Sequence, residues 1–406
     1  MESSESTGTR FARVMLLFAL VVYGFGFWVN RARAFTDFRV LHLGGRLVNE
    51  GRADVAYDSV AFAEEQALDP LLAETAGELD VFISAPPFAL AIRPLSLLES
   101  QLALGVFMAL GVFALIAAVK LLRLPWWSTI VALVMPFGIA QIYHAQTGFL
   151  AIVWAAAIHR LAVDDRRIAA GAVAGLAVLK PTLLLGVAIW WLLDWRRWNR
   201  ALGSAFAVGT SIAAVTLIDG FEQWRLFLTA LSGYGVDEQT IAFNQPTLIE
   251  LVSRVAGTNV GTHPLTLLVV LALGGAAMRA AIRRWSGDTA ALSGLAMIVS
   301  VLVSPHLLIY DTGLLLISAA VLVNRNVDLR SIERITHIYV WTSLITIMSI
   351  GWLETLNSRT MPATIGLLAI TMLWVRTVDS SIRSQPGHGD VSTLHPPASS
   401  NGALAA

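Results

Sequence analysis

Apolar stretches of about 17 to 21 residues recur along the whole chain, and short turns that carry arginine separate them. A helix of that length crosses the ~30 Å hydrocarbon core of a bilayer. Of the 406 residues, 56% are apolar and only 14% are charged, against about 25% in an ordinary soluble domain. These values exclude a disordered chain, a nucleic-acid-binding protein and a soluble globule. The sequence therefore predicts an all-α polytopic membrane protein.

The apolar stretches predict about 12 transmembrane helices, within a range of about 10 to 13. The first covers 11–29, and we interpret it as an uncleaved helix because no small-residue cleavage site follows it. Two stretches that meet at Lys180-Pro181 are short for a crossing, so they predict either two half-depth helices or one kinked helix. These two are 168–180 and 182–194, and the other predicted spans are 101–119, 125–143, 147–161, 199–219, 264–282, 288–304, 306–324, 333–353 and 360–378.

Polar segments divide the chain into a transmembrane domain and two tails. Residues 1–10 are a predicted cytoplasmic tail, the domain covers 11–378, and the Ser/Gly/Pro-rich residues 379–406 are a predicted disordered cytoplasmic tail. Two long polar loops, 30–81 and 219–263, interrupt the domain.

Short helices are predicted in and after the first long loop. Asp37–Glu50 and Ser59–Leu72 have the pattern of amphipathic helices. The next segment, Phe82–Leu98, is apolar but short and contains three prolines. It therefore predicts a re-entrant or tilted helix rather than a plain crossing.

Clusters of Lys and Arg orient the predicted helices. The positive-inside rule assigns to the cytoplasm the turns at 120–123, 160–167, 196–200, 279–284 and 325–334, together with both termini. Both long loops and the turns at 143–146, 180–181 and 304–306 then lie on the extracytoplasmic face. A transporter would instead have some polar residues near the midplane, open to each side in turn.

One carboxylate follows the first predicted span directly. Asp37 stands in Phe35-Thr36-Asp37-Phe38, at the membrane–water boundary and between aromatic residues. Partial desolvation makes a carboxylate a stronger base, which suits removal of a proton from the hydroxyl of a lipid-borne substrate. The alternative is an N-cap for the amphipathic helix that follows.

Two cationic candidates lie at predicted helix ends. Lys180, one of only two lysines, can bind a phosphate as a point charge; the alternative is a lysine that keeps its ammonium in interfacial water. His306 opens a predicted helix, with Tyr310 and Asp311 about one turn further on. Ionisable groups there face a cavity or one another, so His306 either binds a phosphate or forms a packing pair with Asp311.

Other polar residues lie in the predicted extracytoplasmic turns. The amides and imidazole of His144, Gln146, Asn244 and Gln245 suit sugar hydroxyls, which need donors and acceptors; the alternative is simple solvation. Arg93 lies in an apolar segment and needs an anion, either a donor phosphate or a loop acid in a structural ion pair. The chain has no cysteine and its eight histidines are scattered, so we predict neither a metal nor a cofactor.

The order of these motifs resembles that of glycosyltransferase family 87, the bacterial DUF2029 group of polyprenyl-phosphate-sugar-dependent membrane enzymes. The resemblance covers about residues 10–380. It rests on the sequence around Asp37 and on FISAPPFALAIRPLSLL (82–98), YHAQTGFL (143–150), AGAVAGLAVLKPTLLL (170–185), FNQPTLIELVSR (243–254) and SPHLLIYD (304–311). It departs from the family at Phe38–His42 and Phe82–Ala85, which lack a usual tyrosine, and this bears on the sugar and the acceptor.

The resemblance implies a GT-C fold in the bacterial plasma membrane, with the active site on the extracytoplasmic face. Asp37 matches the presumed general base of the family. Lys180 and His306 match the lysine of a Lys-Pro break and the histidine of a late Ser-Pro-His motif. Gln146 matches a usual Gly-Gln pair, where this chain has Ala145, and Asn244-Gln245 matches an Asn-Gln pair.

Residues and resemblance together predict an inverting hexosyltransferase, with mannose as the expected sugar, a polyprenyl-monophosphate donor and a lipid or glycan acceptor. Asp37 would deprotonate the acceptor hydroxyl. Lys180 and His306, with Arg93, would stabilise the leaving phosphate, and sugar or acceptor binding is assigned to His144, Gln146, Asn244, Gln245, Tyr310 and Asp311. The alternatives are a lipid-linked glycan polymerase or ligase, a secondary transporter or flippase, and a non-catalytic membrane scaffold.

Overall fold

The computed structural model describes most of the chain as helices. The described residues are 17, 20, 21, 24, 34–69, 72–73, 82–176, 180–194, 198–237, 247–255, 264–305, 307–352 and 361–384. Within them the chain forms eighteen α-helices and two 3₁₀-helices and no strand. The prediction of an all-α protein is confirmed for this part of the chain.

The α-helices are numbered in chain order. They are α1 Thr36–Asn49, α2 Ala53–Tyr57, α3 Ser59–Leu68, α4 Pro86–Ser96, α5 Ser100–Leu121, α6 Trp127–Val134, α7 Pro136–His144, α8 Gly148–Val163, α9 Arg167–Gly175, α10 Leu185–Leu193, α11 Asn199–Asp219, α12 Glu222–Asp237, α13 Leu248–Val255, α14 Pro264–Arg284, α15 Thr289–Val303, α16 Leu315–Asn324, α17 Leu329–Trp352 and α18 Met361–Arg383. The 3₁₀-helices are Pro181–Leu184 and Ile309–Leu314.

Helices are present where the sequence predicts two amphipathic helices in the first loop, as α1 and α3. Only α1 buries an apolar face; in α3, Val60 and Leu68 are exposed and Gln66 is buried. Helix α1 begins and ends one residue before the predicted bounds, and α3 begins at the predicted residue. Asp58 caps α3, since its Oδ1 accepts hydrogen bonds from the backbone N–H groups of Val60 and Ala61 at 3.0 and 2.9 Å. The second long loop contains two helices, α12 and α13, which the sequence analysis did not predict.

Four helices are long and apolar enough to cross a bilayer, and a bent pair makes a fifth candidate. The four are Ser100–Leu121, Asn199–Asp219, Leu265–Arg284 and Ala363–Arg383. The expected number of about 12 is therefore not confirmed for the described residues. Several predicted spans are shorter apolar helices, such as Gly148–Val163 and Thr289–Val303, and all but four residues of the predicted first span, 11–29, lie outside the described part.

Two helices joined at a sharp bend occupy the stretch 125–143, for which the sequence predicts one straight span. Helices α6 and α7 occupy this stretch and meet at an angle of 70°. The cause is Pro136, which has no N–H to continue the first helix and which restricts Met135 to an extended conformation, with ψ at 155°. Helix α7 ends at His144, and the turn that carries Gln146 follows it.

Two short helices lie on either side of Lys180, where the sequence predicts either two half-depth helices or one kinked helix. Helix α9 ends at Gly175, and after residues 177–179, which are not described, the 3₁₀-helix Pro181–Leu184 leads into α10. The last helix, α18, continues to Arg383, past the predicted boundary at residue 378.

Helix α15 forms the centre of the bundle, because every residue from Ala291 to Val303 is buried. Helix α10 packs closely on it at Gly186, whose N–H donates to Ser300 Oγ at 3.0 Å. A side chain at Gly186 would collide with the backbone of Ala296. Small residues thus allow the close helix packing that is common in membranes.

The second 3₁₀-helix packs on the outside of this centre, against α7 and α8. A side chain at Gly313 would collide with Ile152 and Phe137. Gly148, the first residue of α8, packs in turn on the backbone of Tyr310. These contacts hold Tyr310 and Asp311 beside the turn that joins α7 to α8.

Candidate active site

Asp37 lies in the first turn of α1, and two residues of the α7–α8 turn contact its carboxylate. Gln146 Nε2 donates to Asp37 Oδ2 at 2.6 Å, and His144 Nδ1 lies 3.7 Å from Oδ1. The N-cap residue of α1 is Phe35, so the alternative prediction of Asp37 as an N-cap is wrong. A fifth of the Asp37 side chain, 21%, is exposed, so a ligand can reach it.

A backbone hydrogen bond ties the start of α1 to this turn. The N–H of Phe35 donates to the carbonyl of Tyr143 at 2.8 Å. Phe35 and Ala145 both adopt left-handed conformations, with φ at 64° and 48°, which cost an L-residue about 1–2 kcal/mol each. Strained residues therefore flank both sides of the contact between Asp37 and Gln146.

Lys180 forms an ion pair with Asp311. Lys180 Nζ lies 2.7 Å from Asp311 Oδ1, and the N–H of Leu308 donates to Oδ2 at 3.2 Å. The Asp311 side chain is fully buried, whereas 24% of the Lys180 side chain is exposed. Asp311 is therefore held from two directions, and the ammonium keeps one accessible side.

Tyr310 connects the two halves of the site. Lys180 Nζ lies 5.3 Å from the centroid of the Tyr310 ring, within the range of a cation–π interaction. The His144 and Tyr310 ring centroids are 5.8 Å apart. The structure thus brings six predicted residues together in one continuous cluster: Asp37, His144, Gln146, Lys180, Tyr310 and Asp311.

Arg93 lies elsewhere. Its Nη1 is 2.6 Å from Asp219 Oδ1, and its Nη2 donates to the carbonyl of Val48 at 3.5 Å. Val48 is eleven residues beyond Asp37 in α1, which corresponds to about 16 Å along the helix axis. Of the two predictions for Arg93, the structure shows the ion pair with a loop acid and does not bring Arg93 to the cluster.

Three predicted site residues, His306, Asn244 and Gln245, lie outside the described residues. No group of three or more His, Cys, Asp or Glu side chains suited to a metal ion is found in the part of the chain that the structure describes.

The family model of glycosyltransferase family 87 matches residues 82–305, a little over half of the chain. The chain belongs to glycosyltransferase family 87. Searches of curated proteins and of solved structures find no match. The matched stretch of this family 87 enzyme includes Gln146 and Lys180 but neither Asp37 nor Asp311. Each of those two carboxylates is bonded to a residue inside the stretch, so the site extends beyond it.

A glycosyltransferase must remove a proton from its acceptor and stabilise its leaving group. In this family 87 enzyme, the cluster contains a partly exposed carboxylate, that of Asp37, and a partly exposed ammonium, that of Lys180. Sequence reasoning missed two backbone hydrogen bonds of the cluster: the N–H of Phe35 donates to the carbonyl of Tyr143, and the N–H of Leu308 donates to Asp311, the partner of Lys180. A signal existed for the turn, because the family's usual glycine at the position of Ala145 suits a positive φ.

Proposed function

We propose that this enzyme is an inverting glycosyltransferase that transfers a hexose, mannose, from a polyprenyl-monophosphate donor to a lipid or glycan hydroxyl. We place the reaction on the extracytoplasmic face of a bacterial plasma membrane, in a GT-C fold. One observation carries the proposal: a carboxylate and an ammonium, both partly exposed, lie on either side of the His144 and Tyr310 rings.

In the proposed reaction, the acceptor oxygen forms a bond with the anomeric carbon while the bond from that carbon to the phosphate oxygen breaks. The acceptor proton passes to Asp37, and the electron pair of the broken bond stays on the phosphate. Attack from the face opposite the leaving group inverts the anomeric centre, through an oxocarbenium-like transition state by analogy with glycoside hydrolysis.

Lys180 supplies positive charge for the developing phosphate. An ammonium has three N–H donors, and the ion pair with Asp311 uses one of them. The remaining donors are available to phosphate oxygens on the accessible side of Lys180. His306 is proposed as a second phosphate donor from the sequence, and the position of Arg93 argues against a third.

The sugar and the acceptor are proposed to bind between the carboxylate and the ammonium. His144 lies between them, with 37% of its side chain exposed and its ring beside the buried ring of Tyr310. A ring of this kind packs against the apolar face of a sugar while its polar atoms bind hydroxyls. Asn244 and Gln245 are proposed to complete this subsite, on the basis of the sequence alone.

The test is transfer by the full-length protein in membranes, with radiolabelled polyprenyl-phosphate mannose, glucose and galactose as donors and total membrane lipid as acceptor. We expect label from the mannose donor to enter a lipid or glycan product, and Asp37→Asn to abolish this while donor binding remains. Transfer by Asp37→Asn at the wild-type rate would overturn the base assignment. A diphosphate-linked glycan as the working donor would favour a polymerase or ligase, and flux without a new glycosidic bond would favour a transporter.

A further inference from the structure

The hydrogen bond between Gln146 and Asp37 assigns Gln146 a role other than the binding of sugar hydroxyls. We propose that Gln146 is a positioning residue, which holds one oxygen of the Asp37 carboxylate so that the other faces the acceptor hydroxyl. This inference rests on the proposed function of Asp37 as the general base.

Two hydrogen bonds fix the orientation of the Gln146 amide. Its Oε1 accepts a hydrogen bond from the backbone N–H of Thr147 at 3.3 Å, so its NH₂ group is the end that is turned to Asp37. The resulting bond of 2.6 Å to Oδ2 has the short length of a hydrogen bond to a charged acceptor.

The backbone beside each residue brings the side chains of Asp37 and Gln146 together. The left-handed conformation of Ala145 reverses the chain directly after α7, and that of Phe35 directly before α1. The hydrogen bond from Phe35 to Tyr143 joins these two reversals. The fold therefore retains two strained residues whose shared result is the contact between Gln146 and Asp37.

The two oxygens of the Asp37 carboxylate have different surroundings. Oδ2 is occupied by an amide that can donate but cannot take up a proton at this end. Oδ1 faces His144 Nδ1 at 3.7 Å, too far for a direct hydrogen bond, so it stays available to the acceptor.

Two variants of Gln146 test the assignment through the pH dependence of transfer. Gln146→Met keeps the length of the side chain and removes the donor. We expect a kcat about 10- to 100-fold lower, the effect of losing one hydrogen bond to a charged group. We also expect a KM for polyprenyl-phosphate mannose within about threefold of wild type, because the amide of Gln146 is engaged with Asp37 and the proposed phosphate donor is Lys180. The pH–rate profile should differ from that of the wild type, because Asp37 then loses the amide donor on its Oδ2.

Gln146→Glu gives a signature that no structural role would produce. A protonated glutamic acid can still donate to Asp37, whereas an ionised one repels it, so only the singly protonated pair is active. We expect a bell-shaped profile in which activity falls on both sides of an optimum. The nearby titratable groups are His144, Tyr310, Asp311 and Lys180, and recording the same profiles in a His144→Gln background excludes the nearest one as the source.

Gln141→Met is the matched control. Gln141 lies in the last turn of α7, before the turn that carries Gln146. Its Oε1 accepts from the N–H of Gly148 at 2.8 Å, so its loss disturbs the same turn without removing the donor to Asp37. We expect Gln141→Met to lower thermal stability and to leave the shape of the pH–rate profile unchanged.

The outcomes separate this inference from the proposed function. If Asp37→Asn abolishes transfer while both Gln146 variants keep the wild-type kcat and profile, Gln146 is not a positioning residue and the base assignment stands. If Gln141→Met shifts the profile as Gln146→Met does, the effect is structural and the inference is wrong. If Asp37→Asn transfers normally, both proposals are overturned.

Discussion

Helix α1 has a polar cluster at each end, and each cluster contains an ion pair between a basic side chain and an aspartate. At the N-terminal end, Asp37 leads through His144 and Tyr310 to Lys180 and Asp311. At the C-terminal end, Arg93 pairs with Asp219. The first cluster includes the partly exposed side chains of Asp37, His144 and Lys180, whereas the second connects α4 to α11 beside the end of α1.

The two ion pairs differ in the chemistry of their cations. Lysine is a compact charge with rotatable donors, so Lys180 can hold Asp311 and still bind a phosphate. Arginine presents a rigid fork, and Arg93 divides its fork between Asp219 and the carbonyl of Val48. Within the described residues, Arg93 Nε and Asp219 Oδ2 are buried without a hydrogen-bond partner. The two cations are similarly exposed, 24% for Lys180 and 19% for Arg93, so the type of cation and the groups around it distinguish the clusters more than accessibility does.

The largest difference between the clusters should appear when each aspartate is changed to asparagine. We expect Asp37→Asn to lower transfer by about 10³-fold or more, because it removes the general base, without a comparable loss of stability. Asp219→Asn, the matched control, should keep transfer within about threefold and lower thermal stability. Transfer assays and thermal unfolding in detergent measure the two effects, and a reversed result would exchange the roles of the clusters.

Arg93→Met should destabilise the protein by about 3–5 kcal/mol, because it leaves the buried Asp219 carboxylate without its cation. The double variant Arg93→Met/Asp219→Leu should regain much of this loss, since neither charge then remains. Chemical unfolding of the purified protein gives both values. A higher KM for the donor at unchanged stability would instead make Arg93 part of the donor site.

Lys180→Met should lower kcat/KM by about 10²-fold, the effect of removing one preorganised group that stabilises transition-state charge. Lys120→Met is the natural control, because Lys120 is the other lysine of the chain and lies in the last turn of α5. It should leave transfer unchanged. Equal losses in the two variants would show that lysine contributes only through the total charge of the protein.

Ala145→Val should destabilise the protein by about 2 kcal/mol or more. A β-branched residue is strained at a positive φ, and Ala145 is fully buried against Phe38, so extra methyl groups overpack the site. Ala145→Gly should change stability by less than about 1 kcal/mol, because relief of strain offsets the lost methyl group. Thermal unfolding distinguishes them, and a more stable valine variant would refute the strained turn.

Tyr57→Phe should have the smallest effect, about 1 kcal/mol at neutral pH, for the loss of the hydrogen bond from Tyr57 Oη to the carbonyl of Ser84 at 2.8 Å. Burial raises the pKa of the Tyr57 hydroxyl well above its ordinary value of 10.0. The unfolded chain therefore ionises first, and the wild type loses stability as the pH rises above about 10. The difference in unfolding free energy between wild type and Tyr57→Phe should therefore narrow above that pH, which chemical unfolding at several pH values measures. A difference that stays constant would argue against a buried hydroxyl.

Local patterns allowed the helices of the first loop to be predicted closely. The sequence patterns that predicted α1 and α3 as helices depend only on neighbours in the chain. The bend at Pro136 was missed because both arms of the pair are apolar, so a window of hydrophobicity sees one continuous span. Helix α12 was missed because its apolar residues are interrupted by polar residues and glycines, so the segment was interpreted as part of a loop.

The members of the site could be predicted from the sequence, but their partners could not. Residue type and position marked Asp37, Gln146, Lys180 and Asp311 as candidates. Nothing local indicates that Gln146 bonds to Asp37 or that Asp311 bonds to Lys180, because those pairings are decided by tertiary packing. Arg93 illustrates the same limit, since its charge suited a phosphate equally well until the structure placed it beside Asp219.

The hydrogen bonds that assemble the site join residues 109 and 131 positions apart in the chain. During synthesis the N-terminal part emerges first, so Asp37 reaches the membrane long before its partner Gln146. Lys180 in turn acquires its counter-ion only when Asp311 has been made. A nascent chain therefore lacks the complete candidate site until Asp311 has been made.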